Sequence, residues 1–469
     1  MQLPLVQPAP IVLEHAPAFR SLFKNRCQYQ HFQNYLTGLM VLDNKTMANI
    51  TRCMLESADK TNLSRFFSEA DWDAEAVNEE RIVYLLQKTG RQRLGGRKSI
   101  LAIDDTLAEH VGSLFEYIDK HYNHGNNTYP LAHNLVTSHY VSGAVRFPVG
   151  WRLYRRYEEF TNWETFVNKH FPDAVIPKKK KERNRFKKDV EAILLEDPEF
   201  RVLDEAFQTK ITLAIELVKE AVELVIPFET ALFDSWYLAP LLLEVLAEWG
   251  KKWISILKMN RNITTNNLRI LDEEGKAVRF ENSKIKVQDL IPLIPAPAFK
   301  PVQVGEETYY CFSKNVRIPS LGKVRLIISF DNPELQGTCA VLVTNHLSWN
   351  AKKIIETYLL RWPIETFYQE AKQQLGLNKY RMRSADAIQK HWCLVFVAYS
   401  FLHLDCLPTS RRKVYKPIQT IGQVIRKQTQ MLIEQLLLYS HKLLVQGLDL
   451  AEVSNLLFVK QAYTMSSQT

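Results

Sequence analysis

The chain has 469 residues, 46% hydrophobic and 24% charged, a composition that excludes a disordered polypeptide and leaves room for two or three domains. Its formal net charge is +9, and most of the excess sits in residues 178–188, K-K-K-K-E-R-N-R-F-K-K, with eight basic side chains and one acidic; such a run marks either a polyanion contact or a solvated loop. Six scattered cysteines without a C-x-x-C pair, a start lacking a basic signal region, and a longest apolar stretch of twelve residues (Cys393–Leu404) predict a reduced, cytoplasmic protein that does not span a membrane.

In chain order, residues 1–25 read as a loose leader. Phe32, Tyr35, Leu36, Leu39 and Met40 recur at helical spacing, a second helix opens at Asp43 or Asn44, and Glu75–Thr89 is a third. The basic segment Arg91–Lys98 closes this bundle as a linker. Ser99–Asp104 then reads as a buried strand ending in the doublet Asp104-Asp105, and Asn134–Val141 with Ala144–Tyr154 forms a hairpin about Ser142-Gly143. After the basic loop come a helix over Thr209–Val225, a strand Glu229–Asp234, a helix Leu238–Trp249 and a strand Lys252–Met259. Residues 260–345 form a β-rich block with strands Tyr309–Phe312, Val324–Phe330 and Ala340–Thr344. Helices follow, one around Trp392–Leu404 and a helical region over about 418–458, whose apolar stripe packs on its own chain or on a second copy.

The stretch Tyr358–Lys372, Y-L-L-R-W-P-I-E-T-F-Y-Q-E-A-K, carries the chemistry. A continuous helix would align Tyr358, Arg361, Glu365 and Lys372 on one stripe, over Leu359, Ile364, Phe367, Ala371 and Leu375 as apolar backing. Pro363 means that the helix either kinks or begins there. A carboxylate between a phenol, a guanidinium and an ammonium suits metal-assisted attack on a phosphodiester. An ordinary surface helix with ion pairs is the plainer reading.

Asp105 and Asp234 each end a predicted strand, where open α/β sheets place ligands. With Glu365 they would make an all-oxygen pocket for Mg²⁺ or Mn²⁺, with two ions about 4 Å apart. Asp105 is preferred to Asp104 because alternation faces it the same way as Ile103.

These features together resemble bacterial insertion-sequence transposases of the DDE type with a Y-x₂-R-x₃-E-x₆-K signature. The carriers are Tyr358, Arg361, Glu365 and Lys372 at that spacing, D-D-T at Asp104–Thr106, F-D-S-W-Y at Phe233–Tyr237 and V-L-V-T-N at Val341–Asn345. The likeness covers about 99–400. It implies an α/β fold: a ribonuclease-H-like catalytic core (96–259 and 346–410) interrupted by a β-rich insertion (260–345), after an N-terminal helical bundle (1–95, DNA binding) and before C-terminal helices (411–469).

By the same resemblance, Asp105, Asp234 and Glu365 are catalytic metal ligands, while Tyr358, Arg361 and Lys372 contact DNA phosphates. The implied activity is metal-dependent nicking at transposon ends and transfer of the 3′-OH to target DNA. Its partners are double-stranded inverted repeats, target DNA and a second copy of the chain on paired ends, in a bacterial, nucleoid-associated setting. Lys178, Lys179, Lys180, Lys181, Arg183 and Arg185, with Lys258 and Arg261 after the last core strand, are the further DNA-contact candidates. His133 and Asn134 are placed to line the DNA channel if they open the second core strand, and Trp236 reads as core. Some relatives stack a flipped base on a tryptophan where this chain has Ala340, with Trp349 close by. An inactive end-binding repressor and a nuclease without strand transfer are the alternatives.

Overall fold

The computed structural model describes residues 4–55, 60–90, 99–266, 268–272, 274–407 and 419–462; the segment Arg91–Lys98, read as a linker, lies outside them. The chain opens with helices α1 (Pro10–His15), α2 (Arg26–Val41), α3 (Met47–Cys53), α4 (Lys60–Ser68) and α5 (Ala74–Thr89). Asn25, Thr46 and Asp73 cap α2, α3 and α5 by accepting backbone N–H bonds, and Gly90 ends α5 at φ 77°, where a side chain would be strained. The leader is not loose. Ile11, Val12 and Phe19 are buried, and the Phe19 ring lies 5.6 Å from that of Phe401. A six-residue helix is too short to advertise itself by periodicity, so burial against distant residues decides it.

The sheet begins with β1 (Ile100–His110), β2 (Asp119–Lys120), β3 (Leu131–Ser142) and β4 (Val145–Tyr154). Four helices follow: α6 (Tyr157–Phe160), α7 (Trp163–His170), α8 (Lys180–Leu194) and α9 (Pro198–Ala206). Then come α10 (Lys210–Glu223), β5 (Thr230–Phe233), α11 (Pro240–Glu248) and β6 (Lys252–Ile256). The β-rich block holds β7 (Asn262–Thr264), β8 (Lys284–Lys286), α12 (Val287–Leu290), β9 (Lys300–Val304), β10 (Glu307–Ile318), β11 (Gly322–Phe330) and β12 (Ala340–Thr344). The chain continues through α13 (Ala351–Tyr358), α14 (Trp362–Gln373), α15 (Ala385–Cys406), α16 (Ile421–Val445) and α17 (Leu450–Ala462).

Strands run in the order β4–β3–β1–β5–β6–β12–β11–β10. β1, β3 and β4 pair antiparallel, and β5 and β6 add parallel to β1. This is a mixed α/β, ribonuclease-H-like core. β12 pairs antiparallel with β6, so the insertion extends the core sheet sideways.

Alternation along the strands divides the two faces. Ile100, Ala102, Leu232 and Ile254 pack with Ile364, Phe367 and the nearly wholly buried α15. Leu101, Ile103, Ala231 and Phe233 pack instead under Leu217 and Val218 of α10 and Leu242 of α11. The N-terminal helices share the α15 core: the fully buried Arg81 donates to Asn78, to the Val149 carbonyl and to Ser400, tying α5 to β4 and α15. Among the described residues no helix is long and apolar enough to cross a membrane.

Candidate active site

Asp104 and Asp105 lie inside β1, not at its end. β3 keeps pairing with β1 as far as His110, opposing Asp104 with Thr137 and Asp105 with Val136, whereas β5 stops at Phe233. The parallel register pairs Ala102 with Leu232 and, carried on along the strands, sets Asp104 beside Asp234. Alternation does put Asp105 on the same side of β1 as Ile103. That same fact turns it to the α10 face, where Lys210 Nζ lies 2.8 Å from Asp105 and the Tyr237 hydroxyl donates to it at 2.9 Å.

Asp104 faces α14. The Arg361 guanidinium donates to Asp104 with one nitrogen and to Glu365, at 2.5 Å, with another, so a single cation bridges the two carboxylates. Burial pushes the Asp104 carboxyl up to about 6, Arg361 pulls the other way, and the charges of Asp105 and Asp234 add to the rise. Tyr358 is raised to about 12, first by burial, with Arg361 opposing and Asp234 and Asp104 reinforcing; its hydroxyl stays protonated at neutral pH. Lys372 donates to the Thr106 hydroxyl at 2.7 Å, beside the doublet, and burial lowers its ammonium.

Of the two ways to place Pro363, the structure takes the second. α13 ends at Tyr358, a 3₁₀ turn spans Leu359–Arg361, and α14 begins at Trp362 with Pro363 in its first turn, where the missing N–H costs nothing. Tyr358 and Arg361 still reach the acids, because the turn continues the helical path.

The three carboxylates Asp104, Asp234 and Glu365 do not all approach within 4.8 Å of one another; among the described residues that condition is met by Glu14, His15 and Asp405. Arg361 stands between the acids as the cation their mutual repulsion requires. An all-oxygen donor set, one member buried and pushed up beside two like charges, fits a hard divalent cation.

The other candidates separate by environment. Lys258 and Arg261 are exposed beyond β6, at the same sheet end as Asp234. Trp236 is not core. It is 58% exposed, its backbone N–H donates to the Asp234 carboxylate at 2.8 Å, and Lys210 and Lys258 lie 5.8 and 5.6 Å from its ring. His133 and Asn134 do not line a channel. Both are buried, and His133 bonds to the Tyr380 hydroxyl and the Glu116 carbonyl.

The basic run is mostly helix α8, not loop, because Val190 and Leu194 pack with Trp163, Phe166 and Phe200. Lys178, Lys179, Lys180, Lys181 and Arg185 are exposed. Arg183 is instead committed internally, to Glu158, to Glu164 and over the Trp163 ring.

This division is testable. Burial would raise Glu158, but bonds from Arg183 and Lys187 hold it down at about 2, so the pair's contribution is present above the ordinary glutamate range and is lost as pH falls toward about 2. Arg183→Ala should destabilise the α6–α9 region by about 2–4 kcal/mol at pH 7, in thermal unfolding, with the deficit shrinking below about pH 4. Arg185→Ala should leave stability within about 0.5 kcal/mol.

Lys210, Tyr237 and Tyr368, the last joined to Thr137 at 2.6 Å, escaped the sequence reading. Tyr237 sits in the F-D-S-W-Y motif and could have been found there. Lys210, 105 residues from its partner, carries no local signal.

A family model described as DDE superfamily endonuclease matches residues 18–271, more than half of the chain, and one described as transposase DDE domain matches residues 165–401. The first takes in Asp104, Asp105 and Asp234, and the second Asp234 and Glu365. No curated protein matches the sequence. Nucleases of this superfamily generally use divalent metal ions. With two such matches over a ribonuclease-H-like core that gathers its acids on one helix-covered face, the chain belongs to the DDE superfamily and is a transposase-type nuclease.

Proposed function

We propose that this nuclease is the DNA transposase of an insertion sequence, cutting at transposon ends and joining the freed 3′-OH to target DNA by in-line displacement. The observation that carries the reading is the Arg361 bridge between Asp104 and Glu365, beside Asp234 and within the Tyr358–Lys372 set. In this reading Asp104, Asp234 and Glu365 hold the metal, Mg²⁺ or Mn²⁺ and two ions, and Asp105, braced by Lys210 and Tyr237, supports the strand that carries Asp104. Two bound ions would polarise the scissile phosphate and acidify the attacking hydroxyl.

The chain's own groups do the positioning. A phosphate oxygen competes with Asp104 and Glu365 for the Arg361 guanidinium, so the entering strand draws Arg361 away and frees both carboxylates. The protonated Tyr358 hydroxyl donates to a phosphate oxygen, and Lys372 neutralises a neighbouring one. Duplex tracking past Lys372 meets a cleft of about 670 Å³ lined by Lys379, Arg381 and Arg383 next to Glu109 and His110 of β1. Lys258, Arg261 and the exposed part of the basic run extend the contact, and a homodimer holds the two ends.

The test uses a duplex bearing the inverted repeat that flanks the reading frame, pre-cut to expose its 3′-OH, with supercoiled target and Mg²⁺. Joined product is expected. Cleavage of the uncut duplex without joining would make the chain a nuclease only, and binding without cleavage an inactive end-binder. In the same assay Arg381→Ala with Arg383→Ala should weaken duplex binding about tenfold and reduce the slope of log K against log salt by about 2. An unchanged slope removes the cleft from the DNA path.

A further inference from the structure

The geometry points to a zinc site at the junction of α1 and the C-terminal end of α15, built from Glu14, His15 and Asp405. These elements carry none of the nuclease acids. The His15 ring is only 4% exposed, its Nδ1 bonds to the Tyr84 hydroxyl at 2.9 Å, and Phe401 packs against it at 5.1 Å between centroids. The ring's direction is thereby set by one nitrogen, and in the tautomer in which Nδ1–H donates to the Tyr84 oxygen, Nε2 carries the lone pair a metal would take. The other nitrogen, Nε2, is buried without a hydrogen-bond partner and aims at Asp405, whose Oδ1 lies 3.8 Å away.

One ligand atom from each of Glu14, His15 and Asp405 lies within 4.8 Å of the other two. Tetrahedral ligands about 2 Å from one ion sit about 3.3 Å apart, so binding must draw the three together, by about 0.5 Å between His15 and Asp405 and by up to about 1.5 Å for exposed Glu14 on the short α1. One imidazole nitrogen with two carboxylates suits Zn²⁺, with water in the fourth position, and does not suit Mg²⁺, which takes oxygen. A filled site would clamp the N-terminal helix to the core helix. A buried imidazole whose Nε2 has neither a donor for its lone pair nor an acceptor for its N–H is otherwise a net cost.

Thermal unfolding and calorimetric titration of the full chain decide it, with ZnCl₂ as the probe and MgCl₂ at equal concentration as control. Both are done in the Glu365→Gln background, so that ions at the nuclease acids contribute less. Zinc should bind with one equivalent per chain and raise the Tm by several degrees, while magnesium does not. Asp405→Asn and Glu14→Gln, both at accessible positions, should keep the EDTA Tm and lose the zinc-dependent rise. No rise with zinc, an equal rise in both variants, or a drop in Asp405→Asn that is the same with and without zinc would overturn the site, the last leaving a plain His15–Asp405 ion pair.

Discussion

Glu365→Gln is expected to lower metal-dependent strand cleavage by at least about 10³-fold, the loss typical of removing one member of a catalytic unit, while duplex affinity changes less than about threefold. The glutamine keeps the shape and can still accept from Arg361, but it brings no charge to a divalent ion. Glu365 is partly exposed, with a side chain 37% accessible, so the fold should tolerate the change to within about 1 kcal/mol. Arg361 remains tied to Asp104. Cleavage by the purified variant at the wild-type rate, on the same end duplex, would remove Glu365 from the essential metal ligands.

The second result concerns the doublet. Asp104→Asn should match the loss in Glu365→Gln, whereas Asp105→Asn should cost about 10–100-fold, the scale of a supporting residue. Asp104 lies in register with Asp234 and shares Arg361 with Glu365. Asp105 points across the sheet to Lys210 and Tyr237. Because burial already penalises the charged form of Asp104, the asparagine should not lower the Tm at neutral pH, which separates lost chemistry from lost folding. Asp105→Asn instead keeps one acceptor oxygen but puts an NH2 donor in place of the other, against either Lys210 or the Tyr237 hydroxyl, and removes the charge paired with Lys210, so a modest stability loss should accompany that variant. If the two activities come out reversed, Asp105 returns to the ligand set, and the strand must rotate when DNA binds.

Much of this molecule can be read from short-range pattern. β12 spans Ala340–Thr344 as its apolar run predicts, and β3 and β4 form the expected hairpin, with its two-residue turn at Gly143-Ala144, one residue later than the Ser142-Gly143 signal. α10 starts behind Thr209, whose hydroxyl accepts from the Thr212 N–H in a capping box. Helical spacing brings Tyr358, Arg361 and Glu365 to one side even across the 3₁₀ turn. In each case the determining interactions lie within a few residues, so periodicity and cap chemistry carry the information.

Other features depend on residues far away in the chain. Arg183 looks like every other member of its basic run until Glu158 and Glu164 are brought beneath it. Trp236 has a core residue's composition but an exposed position, because Asp234 turns its backbone outward. Helix α1 exists because α15 buries it.

The amino-acid sequence by itself determined which residue types occur at catalytic spacing, where the central strands and most of the longer helices form, and that β1 and β5 carry aspartates within or just after them. Only the tertiary structure decided which face of β1 meets α14, and hence which aspartate of the doublet joins Asp234. The physical reason is that neighbouring strand residues point to opposite sides by a strictly local rule, while the side that receives a helix is set by packing between elements more than a hundred residues apart.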